Sequence, residues 1–416
     1  MGYQHWWRGF RTRMRRIFFA LLGLLIFPLG ATAVCGWCNR SGAGRIVDAL
    51  DSFRNGFELA VHNFGRLTLG FNQAANQGLT PGRAPFTVPK RLDRSNLLVY
   101  RDRQGVPQPV KSVRDWQKRR AEIVRGMESV MGPLPGRAKR CALDLKIEEQ
   151  TDCGSYVCRF ISYASEPGSR VPAWLLVPKD ALKGGGKFPA VLCPHPTGPV
   201  GVPDYARELA ARGYVTLTAN YPLLGKYEPD LKALGWQSGT MKAIWDNMRG
   251  LDLLDSLPYV KQGKYGAIGI SLGGHNSVYT AVFEQRIQVV VSSSGLDSYL
   301  DYYGGDPKMW QLGQGWCQTR YMPKLADYAG RLADIPFDFH EMIGALAPRM
   351  VFINAPLRDT NFEWESVDRI VAAASAVYRL YGKPKNLHLE HPDGGHGFFP
   401  EAMRQNAYGL FDACLK

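Results

Sequence analysis

Apolar and polar positions along this 416-residue chain follow two rhythms, and the change between them falls near residue 142. Before it, apolar residues recur every three or four positions. Ile46–Leu59 is roughly amphipathic, a Gly/Pro-rich stretch follows through Gly78-Leu-Thr-Pro-Gly-Arg-Ala-Pro, and Trp116–Met131 is a clear amphipathic helix stopped by Gly132-Pro-Leu-Pro-Gly. After it, short apolar runs bounded by Gly, Pro and Asp predict strands at Leu143–Glu149, Tyr156–Tyr163 and Val171–Val177.

Strands and helices then alternate. Phe188–Cys193, Tyr214–Asn220, Tyr265–Ile270, Ile287–Ser292, Arg349–Ala355 and Asn386–Glu390 read as strands. Asp204–Arg212, Met241–Leu257, Gly273–Glu284, Glu363–Tyr381 and Pro400–Cys414 read as helices. Such alternation predicts an α/β protein with a mostly parallel sheet covered on both faces and ligands at the carboxyl ends of the strands. The predicted organisation is a partly helical extension over 34–110 and a catalytic-size α/β domain over 111–416. An insertion at about 296–340 is too long for a simple connection.

Charge changes the picture only at the N-terminus. The formal net charge is +14, and Arg8, Arg11, Arg13, Arg15 and Arg16 supply five of those charges, leaving +9 for the other 400 residues. No basic stripe remains, so a nucleic-acid partner is not expected. The apolar run Ile17–Phe27, Pro28 and Ala31-Thr-Ala33 complete the form of a secretory signal over 1–33; the uncharged segment 17–38 is the alternative, an uncleaved membrane anchor. Either reading predicts export, periplasmic or extracellular, with any membrane contact through that segment alone. Export permits disulfides, and Cys153 with Cys158 is a candidate hairpin staple. Cys35-Gly-Trp-Cys38 has redox spacing, but no strand precedes it, and it reads as structural. No zinc-type cysteine pairs or H-E-x-x-H occur, so neither metal nor cofactor is expected.

The candidate chemistry is nucleophilic. Gly269-Ile-Ser271-Leu-Gly273 sits between a predicted strand and a predicted helix, where a tight turn pushes a serine hydroxyl above the sheet. A serine needs a base, and His396 lies in a Gly-rich loop after the last strand, whereas His388 and His391 belong to the strand and its end. The imidazole needs a carboxylate: Asp359 follows the preceding strand, with Glu363 and Asp393 as fallbacks. The order Ser–Asp–His follows. Oxyanion donors are expected from the amide of Leu272 and from the 194–198 loop, where Pro196 has no N–H, Thr197 is the donor and His195 shapes the loop. Aromatics of the insertion, Trp316 among them, and Trp236 on the opposite wall are candidate sugar contacts; packing of the insertion onto the sheet is the other reading.

Trp116…Arg119-Arg120…Met131-Gly-Pro-Leu-Pro, His195-Pro-Thr-Gly, Gly-Ile-Ser271-Leu-Gly-Gly-His, Asn354-Ala-Pro-Leu-Arg-Asp359-Thr-Asn-Phe and Pro392-Asp-Gly-Gly-His396-Gly-Phe resemble bacterial acetyl xylan esterase-like and dienelactone hydrolase-like proteins over about residues 110–416. The resemblance implies the α/β-hydrolase fold and metal-free hydrolysis of small-molecule or carbohydrate esters. Serine stands where true dienelactone hydrolases carry cysteine. Leu272 stands where the G-C-S-R-x-G motif of glucuronoyl esterases has arginine. Both departures turn the expectation away from those two substrates. A prolyl oligopeptidase-like peptidase shares the triad order but usually adds a propeller, and no blade repeat is present; an inactive binding module of this fold is the remaining alternative.

Overall fold

Neighbouring residues of the central strands are buried on opposite sides of one sheet, and this alternation decides where every helix packs. The computed structural model describes residues 91–416, apart from 185, 199 and 200. The two N-terminal readings, signal over 1–33 and anchor over 17–38, lie outside the described residues, as do Ile46–Leu59 and Cys35–Cys38. Among the described residues no helix is long and apolar enough to cross a membrane.

A small hairpin, β1 (Val99–Arg101) with β2 (Pro107–Pro109), precedes the main sheet. The nine remaining strands are β3 (Lys146–Asp152), β4 (Tyr156–Glu166), β5 (Ser169–Pro178), β6 (Phe188–Leu192), β7 (Val215–Ala219), β8 (Val260–Ile270), β9 (Ile287–Ser293), β10 (Met350–Asn354) and β11 (Leu387–Glu390). They lie in the order β11-β10-β9-β8-β6-β7-β5-β4-β3. The first three form an antiparallel meander, β5 pairs antiparallel with β7, and the strands from β7 to β11 are parallel. Helices α1 (Val113–Met131), α2 (Asp204–Ala211), α3 (Gly239–Ser256), α4 (Leu272–Phe283), α5 (Phe339–Leu346), α6 (Trp364–Leu380) and α7 (Glu401–Leu415) cover it.

Val289 and Val291 of β9, with Ile268 and Phe352, face Tyr205 and Leu209 of α2 and Tyr408 and Phe411 of α7. Val290 between them, with Ala267, Val351 and Ile353, belongs to the larger core built with α1, α3, α4, α5 and α6. Burial on both faces explains why these strands read as continuous apolar runs. α1 shows the other logic. The Ser112 hydroxyl caps it by accepting from the Asp115 amide at 3.2 Å. Trp116, Ile123, Met127 and Val130 are buried at helical spacing, and Gly132 ends it at φ 95°, a conformation costly for side chains.

Three predicted details differ. The edge strand β3 begins at Lys146 rather than Leu143, and all its residues are exposed, so burial gave no pattern to read. The span 296–340 is a run of short 3-10 turns followed by the unpredicted helix α5. All eight α5 residues are buried, His340 and Glu341 included, so it has no polar face to betray a helical period. Cys153 and Cys158, the proposed staple, stand as free thiols, and burial pushes the Cys158 thiol up to about 11.

Candidate active site

The loops at the carboxyl ends of β8, β10 and β11 bring three side chains together. Between β8 and α4 the backbone reverses at Ser271, held at φ 55° and ψ −119°, a region that L residues avoid. Its N–H donates to the Ser293 carbonyl at 2.9 Å, and its own carbonyl accepts from Gly274 at 2.8 Å. The flanking glycines are steric requirements. A Cβ on Gly269 would lie 2.2 Å from the Gly273 backbone, and one on Gly273 would lie 2.1 Å from the Pro194 oxygen. The turn lifts the Ser271 hydroxyl to 2.9 Å from Nε2 of His396. On the other edge of that ring, Nδ1 is 2.9 Å from both Asp359 oxygens. Nδ1 therefore carries the proton and donates to the carboxylate, leaving Nε2 to accept from the serine.

Asp359 is nearly fully buried, and the Asn361 and Phe362 amides donate to its Oδ1 at 2.8 and 3.1 Å. Burial acts to raise its pKa, but the His396 hydrogen bond and these amides outweigh it and hold the carboxyl below its ordinary value. The acid and base loops are laced by backbone bonds: Ala355 N–H to Glu390 O, Leu357 N–H to Pro392 O and Arg358 N–H to Gly394 O, at 2.9–3.0 Å. Beneath them Asn354 donates to Phe398 O and Ser293 Oγ, and Gly397 N–H donates to Ser294 Oγ at 3.0 Å. The sequence reading missed these supports. Their signal was the three consecutive serines, 292–294, ending a strand of valines.

Two of the rival groups are occupied elsewhere. His391 bridges Ala355 O and Asp368, and Asp393 pairs with Arg358 on the surface. The Glu363 amide lies 3.4 Å from Asp297 Oδ2. Leu272 opens α4, its side chain packed against Tyr221, Leu224 and Ala243. His195 is buried and accepts from the Tyr221 N–H at 3.0 Å through Nε2, while Nδ1 donates to Pro196 O. Burial depresses its pKa, so it stays neutral and pins the loop carrying the exposed Thr197. The close approach of Gly273 to Pro194 sets that loop against the start of α4.

The aromatics separate from one another. Trp316 is buried; its ring stacks on Phe362 at 6.0 Å, and Phe362 meets the His396 ring edge-on at 5.5 Å. Trp316 also packs 4.7 Å from His275, whose burial, with the nearby His396, lowers its pKa to about 3. The insertion's buried rings thus underlie the base. Trp236 sits in a different cluster: its indole donates to Glu166 at 2.7 Å and its ring lies under Lys139. Beside it Lys242, fully buried, pairs with Glu166 and Asp246. No group of His, Cys, Asp and Glu suited to a metal occurs among the described residues.

A mostly parallel sheet with a serine elbow at its carboxyl edge is the α/β-hydrolase fold, and this chain has that fold. Several of the proteins it resembles are named as glucuronoyl esterases. The family model described as "Glucuronyl esterase, fungi" matches residues 234–382, which include Ser271 and Asp359. The structure superposes on a glucuronoyl esterase from Solibacter usitatus with a TM-score of 0.58 and 19% identity, over 79% of this chain and 99% of that one. In sequence the chain is 24% identical over 311 residues to YtaP of Bacillus subtilis, covering 67% of this chain and 94% of that protein. It is 25% identical over 187 residues to 4-O-methyl-glucuronoyl methylesterase 1 of Wolfiporia cocos, covering 41% and 45% respectively. Leu272 turned the sequence expectation away from glucuronoyl esterases, yet theirs is the family model that matches; the missing guanidinium is a local departure within a shared scaffold.

Proposed function

We propose that the protein is an exported carbohydrate esterase in which Ser271, His396 and Asp359 hydrolyse an ester through an acyl-enzyme. The observation that carries this reading is the continuous hydrogen-bonded path from the Ser271 hydroxyl through both nitrogens of His396 to Asp359. Ser271 Oγ attacks the ester carbonyl while its proton passes to His396 Nε2. The carboxylate of Asp359 holds the tautomer and offsets the imidazolium charge. The tetrahedral oxyanion is met by the amides of Leu272 and Thr197. His396 then protonates the leaving alcohol, and a water activated by the same nitrogen releases the acid.

The Leu272 side chain is apolar and buried, so it offers the oxyanion no donor beyond its backbone amide. The substrate class is drawn from those relatives that are named as glucuronoyl esterases. The acetyl xylan-type ester of the sequence reading is the second member of the same class. Export is supported by the arginine-rich and then apolar segment 1–33. A panel of methyl glucuronate ester, acetylated xylan and p-nitrophenyl acetate, run on wild type and Ser271→Ala, tests the reading. Turnover of at least one sugar ester, lost by several orders of magnitude in the variant, is the expected result. Equal turnover in both proteins overturns it.

A further inference from the structure

A cleft of about 660 Å³ opens between α1, the 91–101 arm and the turns at 328–336, and none of its lining residues belongs to the serine site. Five arginines line it against two carboxylates. Most of those charges are committed. Arg119, only 3% exposed, pairs with Glu341 at 2.7 Å and Glu122 at 3.2 Å, and Arg331 pairs loosely with Asp334 at 3.4 Å. Two donors are left over. Arg125, on the exposed side of α1, has no partner among the described residues. The buried Nε of Arg119 likewise has no hydrogen-bond partner there. A planar aromatic completes the lining: Tyr328, with the Arg331 guanidinium 5.2 Å from its ring centre.

We infer that this cleft binds a carboxylated sugar, a hexuronate unit of an oligosaccharide, at a site separate from the ester-hydrolysing one. Guanidinium forks match a carboxylate bidentately. Inorganic phosphate would satisfy the arginines equally, but it has no use for the rest of the lining. Tyr328 adds apolar ring surface to the lining for sugar C–H groups, and Glu122 and Asp334 accept from hydroxyls, as a neutral or acidic sugar requires and a bare anion does not. The surplus positive charge selects the acidic sugar over the neutral one. The choice of a sugar rests on the carbohydrate-ester reading above; the anion site rests on the arginines.

Calorimetric titration of the full-length Ser271→Ala protein tests this with trigalacturonate, xylotriose and inorganic phosphate. Trigalacturonate is expected to bind, more weakly as NaCl is raised; xylotriose is not, and phosphate is expected to bind less tightly than the uronate. Replacing both Arg125 and Arg331 with Ala should weaken uronate binding about tenfold, the scale of a lost charge-assisted hydrogen bond. The same pair of changes in the Ser271 protein should leave p-nitrophenyl acetate turnover unaltered, which reports an intact fold. Absence of uronate binding, unchanged affinity in the double variant, or phosphate binding as tight as the uronate overturns the inference. Uronate binding by a protein that turns over no ester would leave this site standing and remove the functional reading instead.

Discussion

Ser271 sits in a conformation that its own chemistry disfavours, and the surrounding backbone holds it there. The Ser293 carbonyl takes its N–H, and the two glycines leave no room for relaxation. Asp359 presents the complementary case: a buried carboxylate kept ionised by donors converging on it. Asp359→Asn keeps the shape but can neither hold the Nδ1–H tautomer nor offset the imidazolium. We expect it to lower kcat about 10⁴-fold. Steady-state turnover of p-nitrophenyl acetate checks this, and a loss below tenfold would assign the acid role to another carboxylate.

At the scale of elements, the site was legible where a side chain identity marks a loop after a strand. Ser271, Asp359 and His396 stand out for that reason, and the strand–helix alternation placed their loops on one edge. What was hidden works through main-chain groups. The Asn361 and Phe362 amides and the Gly397 N–H carry no trace in the sequence, because any residue supplies them. Aromatic residues were ambiguous because a tryptophan over a sheet can face a sugar or the core. Burial assigns Trp310 and Trp316 to the core, and Trp236 is engaged by a buried ion network. The β1/β2 hairpin went unseen because Pro107 and Pro109 mask a strand only three residues long.

A less visible element contact has a pH signature. Asp297, fully buried after β9, faces the start of α6, with Ser366 and the Glu363 amide as donors and Asp301 and the Glu363 carboxylate as repelling neighbours. Burial, then the two acidic neighbours, raises its pKa to about 8, although Ser366 and the amide oppose the shift. The folded protein therefore binds this proton more tightly than the unfolded chain. The resulting stabilisation is complete below an ordinary aspartate pKa and fades as pH rises towards 8. Asp297→Asn should make Tm fall less steeply than in wild type between about pH 4 and pH 8. Parallel Tm-against-pH curves for the two proteins would refute the assignment.

Across the whole molecule, residues before the α/β sheet are fastened to it by charge. Glu341 of α5, fully buried, accepts from Arg91 at 2.5 Å and Arg119 at 2.7 Å, and Arg94 pairs with Asp338 beside it. Removing one partner of such a set strands buried cations, so Glu341→Ala should cost about 3–5 kcal/mol in urea unfolding. A cost under 1 kcal/mol would mean that the arginines find water instead. The α/β-hydrolase scaffold thus holds the serine site on the loops at one sheet edge, while ion pairs such as these hold the outlying segment.

The most direct test of the account is labelling with a fluorophosphonate probe followed by peptide mass spectrometry. The arrangement predicts a single adduct, on Ser271, formed far more slowly in His396→Ala. An unlabelled protein, or an adduct on another serine, would contradict it.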